Sequence, residues 1–294
     1  MGATVLQLLV AGLTVGAVYT LIALGFVTVY RCSGVTNFAQ GEFVMLGSLI
    51  TFWTLSKGHV PYPLSMLVAV VGVAIVGVLL YQFAVRPLGG NNMMPTIITT
   101  LGASIFLVGV AQITMGGYEK GLPAFMKSVK SFTIAGIPLP LQSVWVILAA
   151  VGVLLVLQLF NNWTLFGMKM TATATQPSAA LLCGVSRRKM ITWSFAISAA
   201  VGAVGGICLG TIVPLNYASG SIYTLKGFAA AVLGGWGKST GAIVGGFIIG
   251  IVETISVLWI PAGYRDAVAF VVLLIILYFR PAGILGASLV EGAE

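Results

Sequence analysis

The chain has 294 residues, 59 % of them hydrophobic and 7 % charged, with a net charge of +8. A soluble domain has about 25 % charged residues, so a chain with a mean hydropathy of +1.09 is excluded from water and belongs in a bilayer, which about 20 apolar residues cross as a helix. Its basic residues fall between apolar runs, where positive charge orients a membrane protein, and not in a stripe with interleaved aromatics, which excludes nucleic acid as a partner.

The first apolar run, residues 5–30, starts close to Met1 without a basic stretch or an A-x-A cleavage pattern, so it reads as a retained span and not a signal peptide. Arg31 and a polar stretch, 32–42, follow it. The run at 43–55 is too short to cross alone, so residues 37–42 are expected inside the membrane as a broken segment. Spans at 64–85, closed by Arg86-Pro87, and at 96–115 come next. A polar connection, 116–140, holds Glu119, Lys120, Lys127 and Lys130. A fifth span covers 141–160.

The segment 161–190 has helical character, four basic residues (Lys169, Arg187, Arg188 and Lys189) and an apolar stripe of Met170, Ala174, Leu181 and Leu182. After it come a span at 191–213, a break at 214–220, a short apolar piece at 228–236, and runs at 241–260 and 267–279 closed by Arg280-Pro281. The chain therefore reads as an all-α integral membrane protein, a single transmembrane domain over 1–294 with about eight or nine helices, some broken or re-entrant. The positive-inside rule places 161–190 in the cytoplasm, with Arg31, Arg86, Lys238 and Arg280 on the same side.

Val15-Gly-Ala-Val18 recurs as Val201-Gly-Ala-Val204, and at the same offset Ser33-Gly34 matches Ser219-Gly220 and Gly41 matches Gly227. Both copies read as helix, polar break, short helix, running in opposite directions. Inverted repeats place a pathway at their interface, near broken helices; a Gly/Ala/Val-rich chain also yields such matches by chance. Glycines four residues apart (Gly12/Gly16, Gly202/Gly206, Gly246/Gly250) let helix backbones approach closely in lipid.

Catalytic signals are weak throughout. Trp236-Gly-Lys-Ser-Thr240 resembles the end of a phosphate-binding loop, but Val232 stands where that loop needs glycine, so it reads as a turn between helices. His59 is the only histidine, and Cys32, Cys183 and Cys208 suggest neither a disulfide framework nor a metal site. No serine has a base partner, so the chain is not expected to be an enzyme. Glu42 and Glu253 fall in the membrane zone, where acids mark a pathway or an ion pair. Arg265 or Lys226 is placed to pair with Glu253. Glu42, beside Asn37 and Gln40, reads either as a pathway group or as a partner for unpaired amides at a helix start. With no hydrolytic site and no proton-carrying chain of acids, a transporter needs outside energy, and 161–190 reads either as a docking surface for a motor or as a membrane-surface helix.

The stretches Gly16-Ala-Val-Tyr-Thr-Leu-Ile-Ala-Leu-Gly25, Asn37-Phe-Ala-Gln-Gly-Glu-Phe-Val-Met-Leu-Gly47, Leu101-Gly-Ala-Ser-Ile-Phe106, Ala179-Ala-Leu-Leu-Cys-Gly-Val185, Lys226-Gly-Phe-Ala-Ala-Ala-Val-Leu-Gly-Gly235, Gly241-Ala-Ile-Val-Gly-Gly246 and Arg280-Pro-Ala-Gly-Ile-Leu-Gly286 together resemble the permease subunits of ABC importers for branched-chain amino acids, specifically the shorter, H-type member of the pair. The resemblance implies a complex with a second permease subunit (a heterodimer), two cytoplasmic ATPases that carry the ATP and Mg²⁺, and a periplasmic binding protein, all at the bacterial inner membrane, with no cofactor on this chain. It implies a coupling helix within 161–190, docking through Met168, Lys169, Met170, Ala174, Pro177, Ala180, Leu181, Gly184 and Val185. The family's arginine-alanine start of that helix reads Lys169-Met170-Thr171 here. Asn37, Gln40, Glu42, Asn216, Tyr217 and Lys226 are the expected pathway residues. Relatives on this scaffold are similar to importers of urea, short amides and aromatic acids, and a stand-alone channel for a small neutral solute is the alternative reading.

Overall fold

The computed structural model describes residues 2–88, 93–125, 131–134 and 137–286. The helices are α1 (Gly2–Ser33), α2 (Gln40–Ser56), α3 (Tyr62–Leu80, prolonged by a π turn Tyr81–Val85), α4 (Met93–Met115), α5 (Leu141–Trp163), α6 (Leu165–Thr175), α7 (Pro177–Leu182), α8 (Arg187–Gly210), α9 (Ser219–Gly234), α10 (Ser239–Ile255) and α11 (Arg265–Phe279). The polar connection before α5 adds one small antiparallel hairpin, β1 (Ser131–Ile134) with β2 (Ile137–Pro140), to an otherwise helical chain. Lys127 and Lys130 lie outside the described residues.

Six helical stretches among the described residues are long and apolar enough to cross a membrane: Thr4–Ser33, Tyr62–Leu88, Met93–Met115, Leu141–Trp163, Arg187–Gly210 and Ser239–Leu258. The expected eight or nine also included shorter runs, some completed by broken segments. Those runs are α2, α9 and α11, with 17, 16 and 15 residues. At 1.5 Å per residue they reach roughly 22–26 Å, short of the ~30 Å hydrocarbon core.

Helices α1 and α8 form the centre. Their most apolar windows are 72 % buried, against 17 % for α5 and 22 % for α4, so the chain surrounds two central helices with peripheral ones that face lipid. Glycine makes the central contacts short: a Cβ on Gly16 would lie 2.9 Å from Phe247 Cα of α10, so α1 and α10 touch backbone to backbone. Gly47 of α2 meets Ala203 of α8 in the same manner. The glycine spacing seen in the sequence is therefore a set of packing seams.

The two ends of the bundle differ in charge. At one end Arg31 lines a cleft with Asn161 and Ser239, Arg86 lines another with Ser33, Arg187 and Arg188, and the loop after Arg280 returns to α9 through Ile284 N donating to Leu233 O (2.9 Å). Lys169 joins them on α6, where the next residue's carbonyl, Met170 O, accepts from Cys32 Sγ (3.8 Å). At the opposite end Lys120 N donates to Leu215 O (2.9 Å) and Leu122 N to Gly210 O (2.7 Å), while Tyr62 Oη donates to Pro123 O (3.1 Å). With Gln142 Nε2 of α5 donating to Thr211 Oγ1 (2.7 Å), these ties place the starts of α3 and α5 and the finish of α8 together. Helices α1, α2 and α3 thus run toward the basic end, away from it and toward it; α8, α9 and α10 run the opposite way in turn.

Candidate functional site

After α1 the chain turns at Gly34, whose φ of +75° suits glycine, and Gly34 N donates to Tyr30 O (2.8 Å). It then climbs back into the bundle to start α2 at Gln40. Asn37 makes this start: its Oδ1 accepts from Ala39 N (3.1 Å) and its carbonyl from Gln40 N (3.3 Å). Gln40 fixes the depth, because its Nε2 donates to Ser198 O (3.1 Å) and its Oε1 lies 2.6 Å from Ser198 Oγ on α8. A Cβ on Gly25 of α1 would run into the Gln40 amide, so α2 begins deep in the bundle, well before the end of α1.

The break after α8 is built the same way. Asn216 Oδ1 accepts from Ala218 N (2.9 Å) and its carbonyl from Ser219 N (3.2 Å). Asn37-Phe38-Ala39-Gln40-Gly41 and Asn216-Tyr217-Ala218-Ser219-Gly220 are therefore one turn used twice. The sequence matched Gly41 to Gly227; in space Gly41 lies against Gly220. Gly41 N donates to Thr224 Oγ1 (3.0 Å), and a Cβ on Gly220 would strike the Glu42 carboxylate. The starts of α2 and α9, arriving from opposite ends, meet here.

Glu42 is fully buried at this meeting point, in the first turn of α2. Its Oε1 accepts from Ser104 Oγ of α4 (2.9 Å) and from Ser221 Oγ of α9 (3.5 Å). Its Oε2 and the Nδ2 of Asn37 have no hydrogen-bond partner among the described residues. Helix N-termini favour a negative charge, which accounts for a lone carboxylate between two of them. Toward the basic end an aromatic cluster that sequence reasoning missed adjoins the break: Phe38 lies 5.5 Å from Phe228, and Phe228 5.1 Å from Trp236. Residues from three separate segments make that cluster, so no local pattern announced it. The Trp236–Thr240 segment is a turn joining α9 to α10, with Gly235 and Gly237 at positive φ.

Lys226 stands apart from this site. It belongs to α9, which starts at Ser219. Its buried Nζ lies 2.9 Å from Glu253 Oε1 and 2.6 Å from Asp266 Oδ1, and donates to Tyr19 Oη (3.1 Å). Arg265 Nε approaches Glu253 Oε1 to 2.8 Å at an angle that makes a charge contact and no hydrogen bond. Both partners expected for Glu253 are present. Asn216 and Tyr217 are half-buried beside the bridge from Leu215 to Lys120.

The segment 161–190 folds as two helices against the basic end. Thr164 caps α6 by accepting from Gly167 N (3.0 Å), and Pro177 opens α7, where its missing N–H costs nothing. Met170 and Ala180 are each 4 % exposed and hold the pair to the bundle. Met168, Lys169, Pro177, Leu181 and Gly184 point outward, Ala174 and Val185 are half-buried, and Leu182 is the most prominent at 91 % exposure. Two of the nine expected docking residues thus face inward, and Leu182, seen only as part of a stripe, leads the outer face.

The chain matches the family described as the permease component of the branched-chain amino acid transport system over residues 8–277. It is 35 % identical, over 97 % of both chains, to the high-affinity branched-chain amino acid transport system permease protein BraD of Pseudomonas aeruginosa. Identity to LivH, the corresponding permease protein of Escherichia coli, is 32 % over 97 % of both chains. A probable LivH of Methanocaldococcus jannaschii is 30 % identical over 91 % of this chain and 88 % of its own. Among solved structures, PsaBC from Streptococcus pneumoniae in complex with Fab aligns with a TM-score of 0.50 at 12 % identity, covering 94 % of this chain and 91 % of that one, a likeness of fold alone.

Proposed function

The chain belongs to the permease family of branched-chain amino acid transport systems, and we propose that it carries a small polar solute, of the branched-chain amino acid class, through the seam where the breaks before α2 and α9 meet. It is a transmembrane permease subunit of an ABC importer in the inner membrane. The observation that carries the pathway is Glu42: a fully buried carboxylate at two helix N-termini, with its Oε2 and the Nδ2 of Asn37 unpartnered among the described residues. Leaving such groups unpaired costs about 1–3 kcal/mol each, and a zwitterionic solute offers a donor to one and an acceptor to the other. Asn216 and Tyr217 stand at the outer mouth of this seam, and the Phe38–Phe228–Trp236 cluster closes it toward the inside. Lys226 supports the wall by tying α9 to α10 and α11.

The opposed directions of α1–α3 and α8–α10, with the same asparagine turn in each set, support an inverted repeat whose halves rock around the seam. In this reading α2 and α9 complete their crossings together with the breaks that precede them, and α11 closes the bundle. The basic end, holding Arg31, Arg86, Lys169, Arg187, Arg188, Lys189, Lys238 and Arg280, faces the cytoplasm by the positive-inside rule. The outer face of α6 and α7 then serves as the coupling surface. Its partners are two cytoplasmic ATPases that hold ATP and Mg²⁺, with a second permease subunit and a periplasmic binding protein completing the importer. ATP-driven closure shifts the bundle only because the two states hold these partners with different affinity.

Reconstitution tests this directly. Proteoliposomes holding the chain, its partner permease, the ATPases and a loaded binding protein should take up solute only with ATP. Downhill flux through the purified chain alone, equal to the full complex, would contradict the proposal and make the chain a stand-alone channel.

A further inference from the structure

A second site lies at the basic end, away from the seam. Helices α5 and α10 both pack on α1, and between them a cavity of about 280 Å³ opens on the bundle. Its lining grades the same way on all three helices. Leu24 of α1, Leu154 of α5 and Ile243 of α10 form the deep part. Arg31, Asn161 and Ser239 form the part at the helix ends. Seven residues separate Leu24 from Arg31, about 10 Å along a helix. A smaller cavity, sharing Arg31, Asn161 and Ser239, continues it beneath α6 at Met170 and Ala174.

Arg31 is the only charged residue lining either cavity, and no ion pair is formed by it among the described residues. Of the four acids among the described residues, none is placed to meet it. Glu42 is enclosed at the seam, Glu119 adjoins Lys120 of the opposite-end bridge, and Glu253 and Asp266 are bound to Lys226. Glu291 and Glu294 lie outside the described residues. A guanidinium held half-buried at the polar mouth of a cavity whose deep part is Leu24, Leu154, Leu157 and Ile243 suits an anion that carries a hydrocarbon tail.

We propose that this cavity is a binding site for one anionic phospholipid, with its phosphate on Arg31, Asn161 and Ser239 and an acyl chain running to Leu24, Leu154 and Ile243. It rests on the reading that the basic end faces the cytoplasmic leaflet, where anionic headgroups gather and basic pockets between helices hold them. The headgroup fills the space under α6, joining α1, α5, α6 and α10 through one ligand.

The purified full-length chain, stripped of lipid in a mild detergent, tests this by native mass spectrometry and thermal melting. Phosphatidylglycerol, phosphatidylcholine of the same chain length and inorganic phosphate are added in parallel. Phosphatidylglycerol should be retained as one molecule per chain, about fivefold better than phosphatidylcholine, and should raise the melting temperature where phosphate does not. Arg31→Gln should abolish the preference, and Arg86→Gln, in the other cavity at the same end, should leave it intact. Should Arg31→Gln fail to fold, Leu154→Trp, which fills the deep part without touching the charge, should cut retention of the lipid. Equal retention of the two lipids, undiminished retention in Arg31→Gln or Leu154→Trp, or stabilisation by phosphate alone would each overturn the site.

Discussion

Glu42 and Lys226 are both buried charges in a membrane chain, yet their surroundings assign them different work. Lys226 has an acid on each side, in Glu253 and Asp266, and a phenol in Tyr19. Its charge is fully answered within the protein, so it holds structure. Replacing Lys226 with Met leaves Glu253 with less compensation in an apolar setting, and breaking a buried pair costs about 3–5 kcal/mol. We expect a clear loss of melting temperature in Lys226→Met, largely restored in the double variant Lys226→Met with Glu253→Gln; a double variant as unstable as the single one would contradict this account. Among the described residues Glu42 has two hydroxyls for partners. Glu42→Gln keeps an acceptor for Ser104 and removes the charge at the seam. Melting should stay close to wild type while uptake falls about tenfold, equivalent to 1.4 kcal/mol. Unchanged uptake in Glu42→Gln would place the pathway elsewhere.

Among the elements, α6 and α7 show how far burial refines a docking surface. Ala180 is enclosed and Leu182 is bare. Ala180→Glu therefore pushes a carboxylate into the contact between α7 and the bundle, and its effect mixes unfolding with loss of docking. Leu182→Glu changes only the outer face. It should leave melting unchanged and separate the partner ATPase's hydrolysis from solute uptake, read as ATP consumed per solute moved. Normal coupling in Leu182→Glu would move the docking surface off α7. Tight backbone seams make a second prediction at this scale. A side chain at Gly250 would enter the backbone of Gly16, so Gly250→Leu should separate α1 from α10 and cost at least about 1–3 kcal/mol, while Gly72→Leu, which meets nothing within 4 Å, should be neutral in melting.

The elements also show what could be read without coordinates. The break before α2 was legible because Asn37, Gln40 and Glu42 interrupt an apolar run, and polar groups in that zone must find partners. The Val-Gly-Ala-Val match drew attention to the helices, while the asparagine turn that Asn37 and Asn216 share shows only in the fold. Lys226 was read both as a pathway residue and as a partner for Glu253; in the fold Glu253 and Asp266 arrive from α10 and α11 to neutralise it, and the part of Asp266 is a long-range fact that no window of sequence contains. The aromatic cluster at Phe38, Phe228 and Trp236 was invisible for the same reason.

For the whole molecule, two central helices with peripheral helices around them make a bundle with the seam between the starts of α2 and α9 inside it. Composition alone required a bilayer, and charge alone separated the two ends. The number of crossings was harder, because apolar runs such as α2 and α9 satisfy a hydropathy window yet start deep in the bundle beside Gln40 and Gly220. Their starts, facing each other across Glu42, are the central claim.

The most direct test is thiol accessibility at that seam. In a chain with Cys32, Cys183 and Cys208 replaced, Ser221→Cys places a thiol beside Glu42 within the assembled importer. A membrane-impermeant reagent added from outside should label it in the resting complex, and trapping the ATPases closed should change the labelling rate about tenfold or more, as a shift of 1.4 kcal/mol or greater between states requires. No labelling in any state from either side, with a lipid-soluble reagent still reacting, would show that the meeting of the two breaks is sealed packing and no pathway.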